Sequence, residues 1–185
     1  MPEVWLRTNR RALALGLVVP AVLCALGLAA AAYGIAREQS AWAIGFYGIL
    51  GAGSGFLVAM FIYWMRLPRL AYARGELLVY LDSAQPVRVP IDVVECFFLG
   101  QGDSNLPKLA GREPETQNVI VRLAEAATEW KHRDVKPAFG HWCEGYITIR
   151  GAWCEPITPD LMRHLNARLG AILRERKAAR QEAAS

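Results

Sequence analysis

The side chains with the widest chemical range lie near one another in the C-terminal half: His132, Asp134, His141, Cys143 and Cys154, with Cys96 upstream. Imidazole nitrogens and thiolates are the donors zinc prefers, so His132, His141, Cys143 and Cys154 form a formal four-ligand set. Their spacing lacks the paired C-x-x-C or H-x-x-x-H arrangement that brings two donors from one turn onto one ion. A Cys143, His141 and Asp134 nucleophilic set is weaker still. Neighbours in sequence do not supply the thiol-to-base and base-to-carboxylate hydrogen bonds that activation requires. Packed thiols with surface histidines are the plainer reading. No G-x-S-x-G, no phosphate-binding G-x-x-x-x-G-K and no dinucleotide-binding glycine pattern stands in a soluble segment. The Gly51-Ala52-Gly53-Ser54-Gly55 run lies within an apolar stretch, where it cannot cradle phosphate. The expectation is a protein with no catalytic residue, no cofactor and no resident metal. A metal- or thiol-dependent enzyme is the lesser alternative.

The elements that would position any site begin with two apolar segments. Of the 185 residues, 54% are hydrophobic, above the roughly 45 to 50% of soluble domains, and the excess falls within residues 12–65. Residues 12–36 and 39–65 contain no Asp, Glu, Lys, Arg or His. As helices they extend roughly 37 to 40 Å each, enough to cross a hydrocarbon core of about 30 Å. Backbone groups in lipid must be satisfied internally, so the expected form is a helical hairpin with spans at about 12–36 and 41–65. Arg7, Arg10 and Arg11 precede the first span, and Arg66, Arg69 and Arg74 follow the second. The connecting turn carries Arg37 balanced by Glu38. That asymmetry predicts a multi-pass protein of the inner (plasma) membrane with both termini cytoplasmic. The rival reading of the first run is a cleaved signal peptide, which would leave one span. Pro20 predicts a kink in the first span. Ionisable residues inside a span mark transport or proton pathways, and these spans have none.

The second span carries Gly45, Gly48, Gly51 and Gly55 as candidate helix-packing positions, with Gly51 and Gly55 in G-x-x-x-G spacing. Small residues let another backbone approach closely. The plainer reading packs this stripe against the first span through Gly27 and Ala31. Homodimerisation, or docking to another membrane protein, is the alternative.

Residues 67–185 change to short β-type runs. Residues 70–74 and 77–81 flank Gly75-Glu76 as a hairpin, and 86–90 read as a short edge strand between prolines. Residues 91–99 form the strongest run, with Val93 and Phe97 on one face and Val94, Cys96 and Phe98 on the other. Residues 101–117 read as a long loop. Residues 118–124 alternate well, 128–132 are their expected hairpin partner, and 145–150 form another strand. Thr158-Pro159-Asp160 then opens a helix over about 159–180, with Leu161, Leu165, Leu169, Ile172 and Leu173 as its apolar stripe. The expected domains are 1–66, tail and hairpin, and 67–185, an α+β domain of mostly antiparallel strands with a C-terminal amphipathic helix.

The element order is a transmembrane hairpin, then residues 77–81, then Val87-Arg88-Val89-Pro90-Ile91 leading into 93–98, then 146–150 before a helix. It resembles the bacterial PH-like membrane proteins, in which a hairpin precedes a small PH-like barrel or sandwich plugged by its last helix. The resemblance implies no enzymatic activity and no single ligand, and lipid binding does not transfer on fold alone. Residues 101–117 and the Cys/Trp-rich stretch 142–153 depart from that pattern.

The formal net charge is +4, with the excess beside the spans and at the end of the last helix. Cations there are drawn to anionic membrane lipids by about 1 kcal/mol each, whereas nucleic-acid binding needs a broader basic face. The functional expectation is a non-catalytic, membrane-anchored interaction or scaffold module. Its protein partner would be met through an exposed sheet edge or the 101–117 loop. The alternative is an accessory subunit of a larger membrane complex, docked through the glycine-rich span.

Overall fold

A computed structural model describes residues 2–81, 85–103 and 115–183. The chain divides into two compact units, one of residues 10–67 and one formed jointly by residues 1–9 and 68–185.

The first unit is a pair of helices, α1 (Arg10–Ala36) and α2 (Ala41–Arg66). α1 runs through Pro20 as one helix. It ends in a Schellman arrangement: the Gln39 N–H donates to the Gly34 carbonyl at 3.0 Å and the Glu38 N–H to Ile35 at 3.2 Å. Glu38 takes the left-handed conformation (φ 53°) that this cap demands. Two helical stretches, Leu13–Ala36 and Ala41–Arg66, are long and apolar enough to cross a membrane. Their large side chains point outward, with Leu15 76%, Ile49 77% and Trp42 91% exposed. Helices of a soluble core would be covered on all sides, and these are not.

The glycines divide by their contact with the neighbouring helix. A Cβ on Gly27 would stand 2.7 Å from the Gly51 backbone nitrogen, and one on Gly51 would stand 3.0 Å from the Leu28 nitrogen. α1 and α2 therefore touch backbone to backbone at Gly27 and Gly51. Gly55 faces Cys24, whereas a Cβ added at Gly45 or Gly48 would meet nothing within 4 Å. Of the four sequence candidates, Gly51 and Gly55 stand in close contact with α1; Gly45 is turned away from it by helical periodicity, and Gly48, on the Gly55 side of α2, has open space where a Cβ would stand.

The second unit is α+β. Its strands are β1 (Glu3–Leu6), β2 (Leu70–Ala73), β3 (Glu76–Val79), β4 (Val87–Pro90), β5 (Val94–Asp103), β6 (Glu115–Leu123), β7 (Gly140–Cys143) and β8 (Tyr146–Ile149), followed by helix α3 (Pro159–Ala183). They form two antiparallel sheets of four, ordered β1-β2-β3-β4 and β5-β6-β8-β7, and neither sheet closes on itself. Leu70, Leu77 and Val89 of the first sheet and Val121, Trp142 and Ile147 of the second belong to one buried cluster. α3 adds Met162, Leu165 and Leu169 to it, with Leu165 fully buried. The Thr158 hydroxyl caps α3 by accepting the Leu161 N–H at 3.2 Å.

Several local expectations are corrected. The first nine residues are more than a charged tail: β1 pairs with β2, so the helical hairpin is inserted in the chain between two neighbouring strands. The tight turn after β2 is Arg74-Gly75 (φ 53° and 83°), one residue earlier than Gly75-Glu76. Both positions take positive φ there, as a two-residue turn matching strand twist requires. Ile91–Val93 is a 3-10 turn, not strand. An irregularity in pairing between Val94 and Cys96 then puts Val94 on the same buried side as Phe97 and leaves Cys96 and Phe98 outside. Thr128–Trp130 is also a 3-10 turn, so the partners of β6 are β5 and β8 instead, and β8 pairs in turn with β7. Residues 101–103 and 115–117 of the expected loop are strand, and 104–114 lie outside the described residues.

Candidate interaction surfaces

The chemically capable side chains do not converge. Among the described residues no three His, Cys, Asp or Glu groups come together as a metal-holding set. All four cysteines are free thiols. His141 is exposed on β7, and His132 lies 3.8 Å from Asp134 on the surface. Cys154 is 1% exposed and its thiol donates to the Arg150 carbonyl at 3.4 Å. Burial pushes the pKa of this thiol up to about 12, against the pull of the Arg69 cation and with a push from Glu155. A group held protonated this firmly is not an attacking thiolate at neutral pH.

Of the six basic flank residues, Arg7, Arg10, Arg11, Arg66 and Arg74 are exposed, and Arg69 is committed to the fold. Its guanidinium lies 4.3 Å over the Phe139 ring. Its Nε donates to the Trp153 carbonyl at 3.3 Å and its Nη1 to Tyr80 at 3.4 Å. Burial lowers its pKa, and Cys154 opposes that shift. At the end of α3, Arg176 and Arg180 reach Asp92 at 3.3 and 2.6 Å. Part of the C-terminal positive charge is thereby neutralised within the domain.

The N-terminal segment is fastened at the same place. The Asn9 N–H donates to the Trp153 carbonyl at 3.0 Å, its side-chain amide donates to Ala152 at 3.1 Å, and Thr8 pairs with Cys154. The Arg7 N–H donates to the Glu155 carboxylate at 2.8 Å, and the Glu155 N–H donates back to the Arg7 carbonyl at 3.0 Å. One carbonyl, that of Trp153, thus gathers the residue before α1 and a residue just after α2. Sequence patterning gives no sign of this, because the partners are more than 80 positions apart.

Two sheet features bear on recognition. The edge of β5 is covered at Phe97: Asn166 of α3 accepts the Phe97 N–H at 2.8 Å and donates to the Phe97 carbonyl at 2.7 Å, as a neighbouring strand would. The outer face of the second sheet is open. Strand register places Phe98, Ile120 and Thr148 in one row and Cys96, Arg122 and Tyr146 in the next. Phe98 and Tyr146 meet edge to face at 6.2 Å and stay 37% and 39% exposed. Arg122, bridged to Glu95 at 2.8 Å, lines the polar side of this apolar patch. An aromatic centre with a charged margin is the composition of a protein contact surface.

No family model, no curated protein and no solved structure matches this chain.

Proposed function

We propose that this chain is a non-catalytic interaction module anchored by α1 and α2 in the inner membrane, with its α+β domain on the cytoplasmic side. The observation that carries the reading is the exposed Phe98 and Tyr146 pair, with half-buried Ile120 beside it, on the outer face of the second sheet. A soluble face that exposes two aromatic rings on a rigid sheet is suited to docking a partner rather than to chemistry. The arginine flanks support the orientation, since only Arg37, offset by Glu38, stands in the turn between the helices. Two antiparallel sheets followed by an amphipathic helix are also consistent with a PH-like sandwich. Anchoring confines the search for a partner to a layer beside the bilayer and so raises effective concentration without a new contact.

A photocrosslinking amino acid at position 98 or 146, in the full-length protein in native membranes, tests this. A discrete crosslinked protein is expected, and the crosslink from position 98 should disappear with Tyr146→Ser. Crosslinks to lipid only, or equal crosslinking from an exposed control at Glu144, would overturn the assignment of this face. The alternative, an accessory subunit docked through the membrane helices, predicts instead that crosslinks arise at Gly45 and Gly48, where an added Cβ would meet nothing within 4 Å.

A further inference from the structure

We infer that the surface around Trp153, Phe139 and Arg69 is a binding site for anionic phospholipid headgroups. The inference rests on the reading that α1 and α2 cross a membrane, and on covalent connection rather than on any orientation of the domain. Asn9 is bonded directly to Arg10, the first residue of α1, and Arg69 follows the last residue of α2, Arg66, by three positions. Both are hydrogen-bonded to the Trp153 carbonyl. The chain therefore enters and leaves the apolar hairpin at this one point of the domain, and Trp153 is held within a few residues of both crossings.

The chemistry of the point fits a headgroup layer. Trp153 and Phe139 are half-buried rings in edge-to-face contact at 5.6 Å. Trp partitions to the depth where apolar and polar surroundings meet. Arg69 has carbonyl oxygens and a ring face around its guanidinium, and among the described residues no carboxylate pairs with it. A half-buried cation compensated only by dipoles is open to an anion. Lys136 is exposed at the start of the turn that leads to Phe139, and Arg150 is held beside it through its Nε–H to the Pro137 carbonyl at 2.8 Å. The nearby acid, Glu155, accepts the Arg7 N–H and keeps its negative charge, which stands against the three cations Arg69, Lys136 and Arg150. A phosphodiester is the anion that the surroundings of both helix ends supply in abundance.

The test uses the full-length protein in phosphatidylcholine vesicles containing a minor fraction of brominated lipid, with quenching of tryptophan emission as the readout. Comparison with Trp153→Phe isolates the share of quenching due to Trp153. That share should be larger with brominated phosphatidylglycerol than with brominated phosphatidylcholine. Arg69→Gln and, separately, Lys136→Gln should reduce the preference by up to about fivefold each, the factor one interfacial cation contributes near an anionic surface. Lys136 is exposed, and a thermal melt of Lys136→Gln that matches the wild type shows that its effect is read on a folded domain. Equal quenching by the two lipids, or no quenching assignable to Trp153, would overturn the proposal. Displacement by inorganic phosphate at matched ionic strength would overturn the lipid as occupant. Release of the protein from vesicles by alkaline carbonate would instead refute the membrane-spanning reading on which the site rests.

Discussion

Asn166→Ala is the most informative single substitution for the domain. The Asn166 side chain makes three hydrogen bonds, one from the Phe97 N–H at 2.8 Å, one to the Phe97 carbonyl at 2.7 Å and one to the Met162 carbonyl at 3.1 Å. Asn is suited to the place because one short side chain both accepts and donates, as an extended backbone does. Each bond contributes about 1 kcal/mol net, and a part-buried donor left without a partner costs more. Loss of the pair on Phe97 should therefore destabilise the domain by about 2 to 3 kcal/mol. For a domain of this size that corresponds to a drop in melting temperature of about 6 to 12 °C. The substitution also uncovers the β5 edge, and an unpaired edge strand recruits other chains. Circular dichroism melts of the full-length protein in mild detergent, with size-exclusion chromatography of the same samples, should show both the lower midpoint and new oligomers. Asn166→Asp should behave nearly as badly, since a carboxylate cannot donate to the Phe97 carbonyl. An unchanged midpoint for Asn166→Ala would refute the view that α3 acts as a surrogate strand.

Gly27→Leu should separate α1 from α2, because its first side-chain atom would meet the backbone of Gly51 at 2.7 Å. A loss of about 1 to 3 kcal/mol would appear as a lower aggregation temperature in detergent, whereas Gly48→Ala, with nothing within 4 Å, should leave the hairpin unchanged. Cys154 should resist maleimide at pH 8 in the folded protein and react once the domain is unfolded. Its folded pKa, about 12, is raised above its ordinary value near 9.0, so the stability it confers is full below pH 9 and is lost as pH rises towards 12. The difference between wild type and Cys154→Ala should shrink across that window by up to about 4 kcal/mol, and a pH-independent difference would contradict the burial of the thiol.

How much of the fold is legible in the sequence depends on the range of the interactions. The hairpin is readable because an uncharged run of membrane length has a local meaning that no distant contact alters. The same holds for α3, whose cap at Thr158 and stripe of Leu165 and Leu169 lie within a few turns of each other. Alternation misplaces a strand at 91–93 because the Val94 to Cys96 irregularity shifts the pattern, and period alone cannot locate an extra residue. β7, Gly140-His141-Trp142-Cys143, escapes such a reading because one of its two buried positions is a glycine, which gives alternation no apolar mark.

Composition and period act over neighbouring residues, and they suffice for two apolar helices, an α+β remainder and a buried last helix. Placing residues 3–6 in the first sheet needs the folded chain. So does separating Arg69 from the other flank arginines, dividing the glycines of α2 between those that touch α1 and those that do not, and dispersing His141, Cys143 and Cys154. Each of those outcomes turns on which residues, far apart in the chain, share one few-ångström neighbourhood. Residue type limits what a side chain can do there but does not choose its neighbours.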